Sequence, residues 1–270
     1  MIPKTIHYVW LSGDEKPSLV NDCIRSWIQC MPNYKIKEWS MEDIIHIDSP
    51  FLHDAISARK WAFATDYLRF YIIYHYGGIY MDSDVYTYRS FDPFLDSKGF
   101  TSLEGSGILG TEKSKLPDFG LEAAVFGAEK GSPWISHVLS FYANLRFVNK
   151  PSFYMSIMAP KVLWKQSERF GLRKVLSFQI LDGDIRIYPL DTLSCVADPK
   201  FYQLTREDYK LLGERNPLRY ACHVGSNSWG WQKKKNLKDY IKSFIIWLIG
   251  VERSVAIKRK VRTITAAIFK

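Results

Sequence analysis

The chain has 270 residues, 47% hydrophobic and 24% charged, which excludes a protein too small or too polar to bury a core and suits one large domain or two small ones. Its net charge of +9 falls entirely in residues 233–270, where eleven bases meet two acids, and the other 26 bases and 26 acids cancel. The body therefore has no net charge with which to attract nucleic acid. Cys23, Cys30, Cys195 and Cys222 form no C-x-x-C pair and no zinc spacing, so they read as free thiols in a reducing compartment.

In chain order, Lys4–Trp10 alternates and is rich in β-formers, so it predicts a first strand. Its apolar run is too short for a signal peptide, and the expected location is the cytoplasm. Leu19, Cys23, Ile24, Trp27, Ile28 and Met31 fall at helical spacing before Pro32. Tyr34–Ser40 predicts a second strand, and the opening is therefore that of an α/β sheet. Ser57–Tyr76 predicts a long helix capped by Ser57 and stopped at Gly77. Ile79, Tyr80 and Met81 follow as a strand that ends in Asp82 and Asp84. Further on, a strand and a helix from near Pro133, a turn at Asp182–Asp184 leading into a strand, and a short strand at Arg219–Val224 are expected.

A D-x-D pair most often marks a solvated turn. Two carboxylates this close raise each other's pKa unless a cation shares the site. Here they stand at the carboxyl end of a strand, where α/β folds place ligands. Asp66 and Arg69 share a face of the preceding helix, as an ion pair or as groups for ribose and phosphate. His223 opens the loop "HVGSNSWGW" and is a candidate third metal ligand, with Asn227 or Ser228 as an added oxygen and Trp229 as a cover. Trp10 can stack on a base whose edge pairs with the backbone of Val9. A core tryptophan is the ordinary alternative.

The segments "IPKTIHYVW", "CIRSWIQCMPNYKIKEWS", "ARKWAFATDYLRFYIIYHYGGIYMDSDV" and "HVGSNSW" together resemble the DXD-containing glycosyltransferases of family 32, among them bacterial capsule and lipopolysaccharide transferases and fungal mannosyltransferases. The resemblance implies a GT-A fold: a Rossmann-like, mainly parallel sheet flanked by helices. It also implies a nucleotide-sugar donor, Mn²⁺ or Mg²⁺, and retention of configuration. By position, Val9 and Trp10 would meet the base, and Asp66, Arg69, Tyr80 and Asp82 the donor's ribose, sugar or phosphate. Asp84 would bind the metal, with His223 or an oxygen of residues 226–228 as the third ligand. Ser228 or Trp229 would reach the diphosphate. Asp82 and Asp84 are the expected catalytic pair.

The expected domain is 1–232, followed by a basic helical tail, 233–270. Leu237, Ile241, Phe244, Ile245, Leu248 and Ile249 share one helical face, with Arg253, Lys258, Arg259, Lys260 and Arg262 beyond. The apolar run is far short of the ~20 residues a span needs. An amphipathic basic tail lying on the inner face of the cell membrane is expected, with a saccharide or lipid-linked acceptor. UDP-galactose or UDP-glucose is the expected donor, for capsular or surface polysaccharide, with GDP-mannose as the alternative. Two rivals belong to other classes. One is a haloacid-dehalogenase-like phosphatase, with "LDGD" at 181–184 as its acid motif. The other is a non-catalytic sugar-nucleotide binder.

Overall fold

In chain order the strands are Thr5–Val9 (β1), Lys35–Trp39 (β2), Gly78–Met81 (β3), Val85–Thr87 (β4), Gly99–Gly105 (β5), Phe119–Leu121 (β6), Val125–Ala128 (β7), Gln179–Leu181 (β8), Ile185–Tyr188 (β9) and Ala221–His223 (β10). The helices are Ser18–Cys30 (α1), Met41–Ile44 (α2), Pro50–Ser57 (α3), Trp61–Tyr76 (α4), Pro133–Tyr142 (α5), Pro151–Tyr154 (α6), Ala159–Ser167 (α7), Leu190–Leu193 (α8) and Leu212–Arg215 (α9). This is a computed structural model that describes residues 1–105, 119–154, 156–194 and 208–224, all within the unit Met1–Ser226. The expected helical tail, with Asn227, Ser228, Trp229 and Cys195, lies outside the described residues. Among them no helix is long and apolar enough to cross a membrane.

The main sheet runs β2-β1-β3-β7-β5-β9-β8, with β6 beside β5, and β4 pairs with β10 in a separate ribbon. β1, β2, β3, β5 and β9 point one way, and β6, β7 and β8 the other. The α/β class with most main-path strands co-directional is as expected; the reversed strands make the sheet mixed. β1 and β3 are buried along both faces, as central strands between helical layers must be. Ile6, Trp27, Met81, Phe91, Phe94 and Phe100 fill one continuous core.

One expectation fails at Ser57. This residue does not cap α4. It ends α3, which Ser49 caps by accepting the Leu52 N–H at 3.3 Å. Arg59 then takes a left-handed backbone, φ 53°, and α4 begins at Trp61. The apolar spacing runs on across the break, so the expected helix starts at Ser57 rather than Trp61, and α3 was not expected. α5 begins at Pro133 as expected, because Ser132 accepts the Ile135 N–H.

The two glycines before β3 have a steric reason. Gly77 and Gly78 adopt φ 68° and 102°, and a Cβ at Gly78 would stand 2.6 Å from the Thr5 carbonyl oxygen. Only glycine lets the chain leave α4 and enter the sheet so close to β1.

His7 on β1 yields a pH prediction. Trp39 Nε1 donates to its Nδ1 at 3.1 Å, so its Nε2 donates to the Gly77 carbonyl at 3.0 Å. Burial is the main reason its pKa falls to about 4, with Lys37 adding to the shift against the Gly77 bond. The unfolded chain takes up this proton first as pH falls from the ordinary histidine value of 6.5. The stability His7 contributes is therefore present above that value and lost as pH falls through about 4, a loss of about 3 kcal/mol. Denaturant melts between pH 7 and 4 should show this decline, and His7→Gln, which keeps one donor and one acceptor, should flatten it.

Candidate active site

The carboxyl end of β3 meets the amino end of β7. The Asp82 N–H donates to the Ala124 carbonyl at 2.8 Å, and the Val85 N–H returns to the Asp82 carbonyl at 3.0 Å, forming the tight turn between β3 and β4. β10 pairs with β4 in the register His223↔Val85, and the Val224 N–H donates to the Asp84 carbonyl at 3.0 Å. This ribbon brings His223 to the aspartates. Ligand atoms of Asp82, Asp84 and His223 all lie within 4.8 Å of one another, and His223 Nε2 is 3.4 Å from Asp84 Oδ1.

α4 supports the pair from behind. Arg69 Nη2 donates to Asp66 Oδ1 at 2.7 Å, and its Nη1 reaches the Ala123 carbonyl at 2.7 Å and Asp82 Oδ2 at 3.4 Å. The Tyr80 hydroxyl donates to Asp82 Oδ1 at 2.6 Å, and the guanidinium lies over the Tyr80 ring at 5.0 Å. Both oxygens of Asp82 are thus held. Of the two readings of Asp66–Arg69, the ion pair is the one present. Arg69 is nearly enclosed, so its main work is to hold Asp66 and Asp82.

Two acids that the sequence pattern did not single out complete the site. Glu122 is 1% exposed. Its Oε1 accepts the Ala124 N–H at 2.9 Å and faces His223 Nδ1 at 3.9 Å, Ser194 also bonds the carboxyl, and Oε2 has no hydrogen-bond partner among the described residues. Burial raises the carboxyl pKa of both Glu122 and its neighbour Glu104, and Glu122 adds to the rise at Glu104. The only hint of Glu122 in the sequence is one acid in the apolar run "GLEAAVF".

Burial alone would lower the His223 pKa, but Asp84 first, then Glu122 and Asp82, outweigh it and lift it to about 10. Burial pushes Asp66 up to about 7 against the pull of Arg69. Arg69 is held charged by Asp82, Tyr80 and Asp66 despite its burial. Five carboxyl groups, Asp66, Asp82, Asp84, Glu104 and Glu122, thus surround the two cationic groups Arg69 and His223, and their crowding disfavours full ionisation in the absence of a further cation. Carboxylate oxygens with one imidazole fit a hard divalent cation such as Mn²⁺ or Mg²⁺.

The carboxyl end of β1 adjoins that of β3. Val9 is buried and pairs with Trp39, and the β1–β3 ladder stops at His7↔Tyr80. Trp10 comes next, half-buried. Its Nε1 donates to the Asp14 carbonyl at 2.9 Å, and Lys16 sits 5.6 Å from its ring centre. The "LDGD" acids form the turn of the β8–β9 hairpin, with Gly183 and Asp184 at φ 80° and 57°, which removes the phosphatase's acid motif. Among the described residues, Cys23, Cys30 and Cys222 form no disulfide.

The fold is α/β, and a carboxylate pair and a histidine gather at its strand ends, where such folds place their ligands. Residues 17–101 match the family described as glycosyltransferase sugar-binding region containing DXD motif. It is 27% identical over 93% of its length to the mannosyl phosphorylinositol ceramide synthase SUR1 of Saccharomyces cerevisiae, covering 67% of that protein. It is 29% identical over 58% of its length to the inositol phosphoceramide mannosyltransferase 3 of Schizosaccharomyces pombe, covering 41% of it. The chain thus spans two thirds of one of these relatives and less than half of the other. Among solved structures, the PaToxG glycosyltransferase aligns over 62% of this chain and 69% of its own, with TM-score 0.46 and 17% identity. The galactosyltransferase LgtC, in complex with donor and acceptor sugar analogues, aligns over 85% and 90%, with TM-score 0.35 and 13% identity.

Proposed function

We propose that this protein is a retaining glycosyltransferase that moves a mannosyl group from a nucleotide sugar to a lipid-linked acceptor. The observation that carries the reading is the Asp82–Asp84–His223 cluster at the end of β3, set in a chain that matches the DXD family over residues 17–101. Asp84 and His223 would hold Mn²⁺ or Mg²⁺, with Asn227 or Ser228 as a further ligand. The ion supplies Lewis-acid neutralisation of the charge that grows on the departing nucleoside diphosphate, worth several kcal/mol. Asp82, fixed by Tyr80 and Arg69, presents its carboxylate to the donor. Val9 and Trp10 meet the base, and Trp229 covers the diphosphate. Asp66 keeps Arg69 in place from beneath. The acceptor hydroxyl attacks from the leaving-group face, and the departing phosphate oxygen takes its proton, so no protein general base is assigned.

The relatives support the choice of donor. Both curated relatives named above are mannosyl-transferring by name and act on a phosphoinositol ceramide. This favours GDP-mannose over the UDP-galactose or UDP-glucose expected from the sequence, and a lipid headgroup over a capsular saccharide.

A donor panel tests the reading. Purified protein with Mn²⁺ or Mg²⁺ is given GDP-mannose, UDP-galactose or UDP-glucose, with and without a phosphoinositol lipid in detergent, and nucleoside diphosphate release is measured. Release from GDP-mannose that rises with the lipid is expected. A response to UDP-hexoses alone overturns the mannosyl reading. Silence with every pair leaves a sugar-nucleotide binder.

A further inference from the structure

We propose that the loop entering β8, residues 169–180, is a docking surface for an anionic bilayer that sets the acceptor's headgroup before the acidic centre. Its meaning rests on the proposed lipid acceptor, but the surface itself can be tested without turnover.

Residues 173–178 are all exposed, and the run is apolar at its outer positions. Val175, Leu176, Phe178 and Ile180 are 38%, 50%, 44% and 64% exposed. Four large apolar side chains displayed within six residues form a local apolar patch rather than scattered surface residues. The loop also has a defined shape. Gln179 is buried and ties its base, accepting the Arg173 N–H at 3.0 Å and donating to the Arg173 carbonyl at 3.1 Å. Phe178 packs on Tyr188 at 5.0 Å between ring centres.

Charge selects the partner. Residues 169–181 carry Arg169, Arg173 and Lys174 and no acid. The preceding acid, Glu168, is paired with Lys165 at 2.6 Å. The acids of this hairpin, Asp182 and Asp184, lie at its opposite end, in the turn to β9. An anionic surface would attract the loop end and repel the turn end, which fixes an orientation as well as a contact. Apolar side chains between bases suit the headgroup boundary of a bilayer. A protein interface core, by contrast, is depleted in lysine.

Strand order places the loop with respect to the site. Gln179 pairs with Ile187 on β9, and Ser102 on β5 pairs with Tyr188. The Glu122 N–H donates to the Ser102 carbonyl, and Val125 pairs with Met81. Phe178, Tyr188, Ser102, Val125 and Met81 thus lie in one row across the sheet, at the edge that carries Asp82. Four strand spacings separate Phe178 from Met81, roughly 19 Å. A lipid seated beneath the loop would stand at the same edge of the sheet as the centre.

The test uses the full chain. Leu176→Cys is labelled with an environment-sensitive fluorophore and mixed with phosphatidylcholine vesicles, with or without phosphatidylinositol. Labelled Lys130→Cys, beyond the opposite end of β7, is the control, and labelled wild type corrects for native thiols. A blue shift at 176, quenched by brominated acyl chains, is expected only with phosphatidylinositol, with none at 130. Arg173→Glu with Lys174→Glu should abolish it while leaving transfer to detergent-dispersed acceptor unchanged. Vesicle binding without a shift at 176 overturns the proposal, since another segment then carries the contact. A shift on self-association without vesicles also overturns it, in favour of a second copy of the chain. A shift at 176 in a protein inactive with every donor upholds the surface and sinks the transferase reading instead.

Discussion

Asp84→Asn should reduce transfer on the order of 10³-fold while the protein melts at or slightly above the wild-type temperature. The amide keeps the shape of the carboxylate but removes the charge that faces the proposed cation and His223, 3.4 Å away. Losing about 4 kcal/mol of Lewis-acid stabilisation gives that factor. Stability should not suffer, because Asp82 and Glu122 remain as acids around His223 and one like charge has gone. Two measurements decide it: diphosphate release in the donor assay, and Mn²⁺ binding followed by electron paramagnetic resonance. Retained activity with unchanged Mn²⁺ affinity would remove Asp84 from the metal site.

Arg69 should show the opposite balance. Arg69→Met leaves Asp66 buried without its partner, 2% exposed at the side chain, and releases Asp82 from one of its two holds. Breaking a buried ion pair from one side costs roughly 3–5 kcal/mol, which lowers the melting temperature on the order of 10 °C in a domain of this size. Combining it with Asp66→Asn removes the stranded charge, so most of the lost stability should return. Activity should not, because Asp82 still lacks its guanidinium. Calorimetry beside the donor assay separates the two roles. A single variant that melts like wild type would show that the pair carries no stability, and one that stays fully active would show that Asp82 does not need the guanidinium.

The run from Ala62 to Asp84 was legible because its chemistry is contiguous. α4 presents Asp66 and Arg69 one turn apart, Gly77 and Gly78 admit the chain to the sheet, and β3 ends on the acids. Each of these is a local requirement of spacing or backbone conformation. The break between α3 and α4 was not legible, because Arg59 changes conformation while the apolar spacing continues across it. β8 was missed for another reason: the run that leads into it, with Val175, Leu176, Phe178 and Ile180 exposed, breaks the rule that apolar runs are buried.

By itself, then, the chain determined the acid pair, the helix behind it, the α/β class and the resemblance to DXD-containing glycosyltransferases. Tertiary structure alone decided which distant residues join that pair. β7 lies between β3 and β5, so Glu122 comes to the site through hydrogen bonds to neighbours that are not sequential. β10 folds back onto β4, which turns His223 from one candidate among several into the side chain 3.4 Å from Asp84. Strand pairing acts across long separations and leaves no period in the sequence, so these partners could be known only once the sheet was assembled.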